Sequence, residues 1–169
     1  MKRSVLLLAS LVFGCLAPLQ ATSVRRLSFD DLISSANSIV EGSVVSSNTY
    51  RSSDGKLIFT SYTINVQESL KGSTPQLVTV TTVGGRVGNT ILHVAGMPVF
   101  QPGDRAILFL EQSKSYTTIV GLNQGKFAIS NGEVSNSISG LSFPDGAAGK
   151  SVKMPLDEFK KQIKLRITR

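Results

Sequence analysis

The residues of this chain that chemistry could use are few: one histidine, His93, one cysteine, Cys15, the adjacent carboxylates Asp30 and Asp31, and a glycine-rich run, Gly84-Gly85-Arg86-Val87-Gly88-Asn89. Protein metal sites draw several His, Cys or carboxylate ligands together, and the sequence offers no such cluster around His93. A Ser-His-Asp arrangement would have to use the same histidine, and no Gly-x-Ser-x-Gly elbow exists to present a serine. His93 falls in an alternating stretch, which makes an ordinary sheet position the expectation. Asp30 and Asp31 resemble an acid–base pair, but they follow Ser28 closely and read as the first turn of a capped helix. The glycine run is not followed by Gly-Lys-Ser/Thr or by a helix start, so the phosphate-loop and dinucleotide readings fail their context tests. A turn or bulge between strands is expected instead. It would expose backbone and place Arg86 and Asn89 within reach of a ligand, and these two are the candidate binding residues. No catalytic residue, metal ligand or cofactor is expected, and the reading is of a non-enzymatic protein.

Residues 1–21 stand apart. Lys2 and Arg3 precede a short apolar run, Val5 to Phe13, and Ala21 supplies a small residue for cleavage. This pattern reads as a signal peptide, too short to span a bilayer. Cys15 follows Phe13-Gly14, a poor match to a lipidation site, so a secreted or periplasmic protein is expected rather than one lipid-anchored on Cys15. No later stretch reaches about 18 consecutive apolar residues, and no transmembrane segment is expected. Cleavage would leave 148 of the 169 residues, enough for one domain, with neither disulfide nor thiol nucleophile.

The elements that must position these residues are mostly strands. Ser38 to Gly72 reads as one long β-hairpin. Val40, Gly42 and Val44 alternate with Glu41, Ser43 and Val45, and Ile58, Tyr62, Ile64 and Val66 share one face of the return arm. Asp54-Gly55 between the arms is a strong turn signal. Long strands with one apolar face curl into a small barrel or pack as a sandwich. A third strand spans Leu77 to Val83, and Thr90 to Val94 resumes after the glycine run. Arg105 to Leu110 is a continuous apolar run, as expected of a central strand buried on both faces. Tyr116 to Leu122 and Gly125 to Ser130 follow, and Asn131-Gly132 marks a second hairpin. Ser135 to Gly149, rich in Ser, Gly and Asn, reads as an exposed loop.

Helices are expected at both ends. Leu27 to Asn37 carries Ser28 as N-cap and Asp31 three residues on, with Leu27 and Leu32 as a hydrophobic staple. From about Pro155 to Ile167 an amphipathic helix places Leu156, Phe159, Ile163 and Ile167 on one stripe. Lys160, Lys161, Lys164 and Arg166 lie largely off it. The charge is uneven: residues 22–149 hold nine basic and nine acidic residues, whereas residues 150–169 hold seven basic and two acidic. The basic face reads either as a solvated surface or as a contact for a polyanion or a membrane surface. A neutral body and an export signal argue against nucleic acid as a partner.

Three segments, Ser-Ile-Val-Glu-Gly-Ser-Val (38–44), Tyr-Thr-Ile-Asn-Val-Gln-Glu-Ser-Leu-Lys-Gly (62–72) and Pro-Gly-Asp-Arg-Ala-Ile-Leu-Phe-Leu (102–110), resemble a group of uncharacterised secreted bacterial proteins. Over roughly two-thirds of the chain after the leader they are also similar to the netrin-like OB-fold of the tissue inhibitors of metalloproteinases. The resemblance implies a mainly β chain: an OB-like barrel of five to seven strands over residues 22–169, with a short N-terminal helix and the C-terminal amphipathic helix. It brings an extracellular protein such as a protease into view as a partner. Those inhibitors reach the protease zinc through an N-terminal cysteine, however, and here the cleaved chain would begin Thr22-Ser23. A secreted binding module is therefore the leading expectation, with a protease inhibitor or accessory protein and a polyanion binder as the alternatives.

Overall fold

The computed structural model describes residues 24–138, 140–144 and 151–168. The expected signal peptide, with Cys15 and the cleavage site, lies outside these residues. The elements run α1 (Phe29–Ser35), β1 (Ser38–Arg51), β2 (Ile58–Lys71), β3 (Leu77–Val83), β4 (Gly85–Val87), β5 (Thr90–Leu92), β6 (Arg105–Gln112), β7 (Thr117–Ile119), a 3-10 turn (Leu122–Gly125), β8 (Lys126–Ser130), β9 (Glu133–Ser135), β10 (Lys153–Pro155) and α2 (Leu156–Ile167). The fold is mainly β, dominated by one large antiparallel sheet in the order β10-β9-β8-β6-β1-β2-β3, with β7 also on β6. Strands β4 and β5 form a separate two-stranded ribbon.

The β1–β2 hairpin is built as its alternation demands. Ile58, Thr60, Tyr62 and Ile64 are buried along one face of β2, and Val40 and Val44 join them from β1. At the turn Gly55 takes a left-handed φ of 72°. The Asp54 carboxylate accepts from the Ser52 hydroxyl and the Lys56 amide, and these bonds hold its pKa below the ordinary value.

Two cores lie on opposite sides of β1 and β6. Ile39, Ile107 and Phe109 face the helices, where they meet Phe127, Phe159 and Ile163. Val40, Leu108 and Leu110 face the other way, into a core with Tyr62, Ile64 and Val80. This is why Arg105 to Leu110 reads as an unbroken apolar run: both faces of a central strand need apolar side chains. β1 satisfies two partners through irregular register, with shifts at Ile39/Val40, Glu41/Gly42 and Val44/Ser46. At Gly42 the strands come so close that a Cβ would sit 2.7 Å from both the Asn65 carbonyl oxygen and Ile64 Cγ2.

The helices dock through their ends as well as their faces. α1 carries the expected capping box: the Asp31 amide donates to the Ser28 hydroxyl, and the Ser28 amide to the Asp31 carboxylate. Its far end is held by Lys71 from β2, whose Nζ donates to the carbonyls of Ile33 and Ala36, each at 2.6 Å. A cation there meets the helix's orphan carbonyls and the negative end of its dipole. α2 buries Phe159 and Ile163, and the Phe159 ring lies 4.5 Å from that of Phe127.

Several expectations are redrawn. Among the described residues the hydrogen-bonded ladder does not close into a barrel: β3 lies against β7, but no ladder joins them. β7 is too short to supply one, because at Gly121, with φ 63°, the chain enters the 3-10 turn that replaces the end of the expected 116–122 strand. The strand expected to reach Val94 stops at Leu92. Pro155 is the N-cap of α2 rather than its first residue, and the short strand β10 precedes it. Of the loop expected over 135–149, residues 139 and 145–149 lie outside the described residues; the described part is not uniformly exposed, since Asn136, Ile138 and Phe143 are buried and the Asn136 side chain accepts from the Val152 amide.

The close approach at Gly42 yields a prediction. Gly42→Val should cost about 1–3 kcal/mol of stability, read as a lower urea midpoint at unchanged slope. A midpoint equal to that of the native protein would show that the β1–β2 contact opens without strain.

Candidate functional site

The glycine run forms the β4–β5 ribbon. Gly84 and Gly85, with φ of 118° and 131°, turn the chain out of β3 through backbone that L side chains rarely adopt. The Gly84 amide donates to the Ile58 carbonyl, and the Gly84 carbonyl accepts from the Thr60 hydroxyl, both at 2.7 Å. Thr60 also shares a hydrogen bond with Thr49 at 3.1 Å. The ribbon is thus fastened to the inner face of the long hairpin. At its tip Gly88 and Asn89 make the turn, and Arg51 donates to the Thr90 hydroxyl. Arg86 stands across from Ile91, and Arg86, Asn89 and Ile91 are all exposed. The structure therefore brings the two candidate binding residues onto one small ribbon. His93, just beyond it, is exposed and makes no ion pair or hydrogen bond with a described carboxylate.

The four basic residues of α2 are placed differently. Glu41 of β1 is buried, its side chain 5% exposed, and accepts from Arg105 at 2.8 Å. Its other oxygen pairs with Lys160. Lys160 also meets Glu68 of β2 at 2.9 Å, and Lys164 meets the second Glu68 oxygen at 2.8 Å. Arg166 pairs with Asp30 of α1 at 2.9 Å and lies over the Phe29 ring. Three of the four cations therefore clamp α2 to the sheet and to α1. Lys161 alone of them points outward, exposed and without a described partner. Hydrogen bonds from Lys164 and Lys160 hold the Glu68 pKa below its ordinary value. Burial alone would lower the Lys160 pKa, but its bonds to Glu41 and Glu68 outweigh that and raise it.

A third feature escaped the sequence reading. On the outward face of the β1–β2 tip, Tyr50 and Phe59 are direct cross-strand partners with near-parallel rings 5.9 Å apart. Tyr116, just before β7, lies 5.8 Å from Phe59. Beside them Ser61 and Thr81 share a hydrogen bond at 2.9 Å, and Ser61 donates to the Tyr50 hydroxyl. Tyr50 is 41% exposed. The signal was present in the outward register of the hairpin: once Asp54-Gly55 sets the turn, Tyr50 and Phe59 must oppose each other. Tyr116 joins them only through tertiary packing.

The Glu68 pairs yield a pH prediction. A carboxylate whose folded pKa is depressed contributes stability above its unfolded pKa, and loses it as pH falls through the folded value. Native protein should melt above Glu68→Gln at neutral pH, and the gap should narrow as pH drops below 4.5, the ordinary value. Thermal melts of both proteins across that range test this; a gap independent of pH would remove Glu68 from the clamp.

No protein-family model matches this chain, and no curated protein or solved structure matches it either.

Proposed function

We propose that the protein is an exported, non-enzymatic binding module that meets its partner with the outward face of the β1–β2 tip. The observation that carries this is the row Tyr50, Phe59 and Tyr116, flanked by the Ser61 and Thr81 hydroxyls. Aromatic rings with polar neighbours are the groups that supply most of the energy at recognition surfaces. Tyr50 and Phe59 sit on paired strands, and Tyr116 directly precedes β7, so the two strand residues are held without the ordering cost a loop would carry. Arg86 and Asn89 would extend the surface along the β4–β5 ribbon, which Arg51 ties to the same hairpin end. The Met1 to Ala21 leader pattern supports export.

An OB-like curl is part of this reading. What supports it is that β1 is shared by β2 and β6 and that β3 packs against β7. The likeness to metalloproteinase inhibitors adds an extracellular protease as one partner to test. The polyanion and membrane-surface reading has less support, because Lys160, Lys164 and Arg166 are already engaged with Glu41, Glu68 and Asp30.

The test is capture from the native extracellular fraction with the protein lacking residues 1–21 as bait. A partner retained by native protein and by Lys161→Ala, but lost with Tyr50→Ala combined with Tyr116→Ala, is the expected result. Equal capture by the aromatic variant would overturn the assignment of the surface. Unchanged rates across a panel of secreted metalloproteases would dispose of the inhibitor alternative.

A further inference from the structure

Beneath the β4–β5 ribbon, on the inner side of the sheet, lies a cavity of about 180 Å³. It is separate from the outward aromatic row, because Thr60, Tyr62 and Thr82 line it from the opposite faces of β2 and β3. Its remaining wall is largely aliphatic, with Leu92, Val94 and Pro98 among the residues, while the exposed Ile91, His93 and Val99 border it toward solvent. No Asp, Glu, Lys or Arg lines it.

Two of its hydroxyls have no hydrogen-bond partner among the described residues. Tyr62 is 4% exposed and Thr82 3% exposed, yet neither side chain makes a hydrogen bond with a described residue. The third hydroxyl, that of Thr60, is already committed to Gly84 and Thr49. Every fully enclosed side-chain nitrogen or oxygen among the described residues has a partner. The Tyr62 and Thr82 hydroxyls therefore keep an open side, and both residues line this cavity. A pair of hydroxyls with no protein partner beside an aliphatic pocket is a place for a guest that supplies a polar group.

We infer that this cavity binds a small, uncharged molecule built as one apolar ring carrying a hydroxyl, of the phenol class, with its oxygen between Tyr62 and Thr82. The volume suits a single ring, since a dry cavity of about 150 Å³ accommodates benzene. No Asp, Glu, Lys or Arg lines the wall, and the one ionisable residue, His93, sits at the exposed rim, so a neutral guest is favoured over an ionised one, whose desolvation the wall would not offset. Walls and rim supply the apolar contact; the two hydroxyls select for a hydrogen-bonding head. The inference stands independently of the aromatic surface on the other face.

The test is an NMR titration of the protein with p-cresol, toluene and benzoate. p-Cresol should give saturable shifts centred on Tyr62, Thr82 and Leu92. Toluene should bind about three- to tenfold more weakly, the worth of one or two neutral hydrogen bonds, and benzoate not at all. Thr82→Val and Tyr62→Phe, both close to volume-conserving, should each bring p-cresol toward the toluene affinity while leaving toluene unchanged. No saturable p-cresol shift in native protein, or equal p-cresol affinity in native protein and both variants, would overturn the inference; melting curves of the variants establish that each is folded.

Discussion

The structure depends on one strand having no solvent face along its first half. From Ile39 to Gly42 every residue of β1 is buried, and the strand is hydrogen-bonded on both edges, to β2 and to β6. A regular strand offers alternate side chains to two faces, and here both faces are cores. The shifts in register let β1 bend while it keeps both partners, and Gly42 removes the side chain that would otherwise strike Ile64 and Asn65. The remaining architecture follows from this strand: helices fill one side, and side chains of β2 and β3 fill the other.

One buried residue of that stretch is a carboxylate. Glu41 could be tolerated there only with charge partners, and it has two, Arg105 from the neighbouring strand and Lys160 from α2. The pairing sets where α2 can lie, because Lys160 must reach Glu41 while Phe159 enters the aromatic core beside it. Glu68 completes the set from β2 with Lys160 and Lys164. Ion pairs of this kind add less stability than orientation: an apolar stripe alone would allow the helix to slide or rotate, whereas fixed carboxylates allow few positions.

Much of the fold was legible because it rests on local chemistry. The long hairpin, the β3 span, the two-faced β6, the α1 capping box and the Asn131-Gly132 turn each follow from period, turn residues or caps within a few positions of one another. What was not legible depends on distant partners. Sequence periodicity places Lys160 and Lys164 on the polar side of α2, but their fate is decided by Glu41 and Glu68, about 90 or more residues away in the chain. Ser135 to Gly149 read as exposed loop by composition, yet among its described residues Ile138 and Phe143 are buried. Of the candidate surfaces, Arg86 and Asn89 were visible as a glycine-framed turn, whereas the aromatic row and the hydroxyl-bearing cavity needed strands brought together from separate parts of the chain.

The docking of α2 bears on how the molecule comes apart. Phe159 and Ile163 sit at the centre of the helix-side core, against Phe109 and Phe127. Peeling the helix away would wet those rings and, in the same step, take from the buried Glu41 one of its two cations. Neither half of that attachment can be undone without the cost of the other, so helix and sheet open as one cooperative unit.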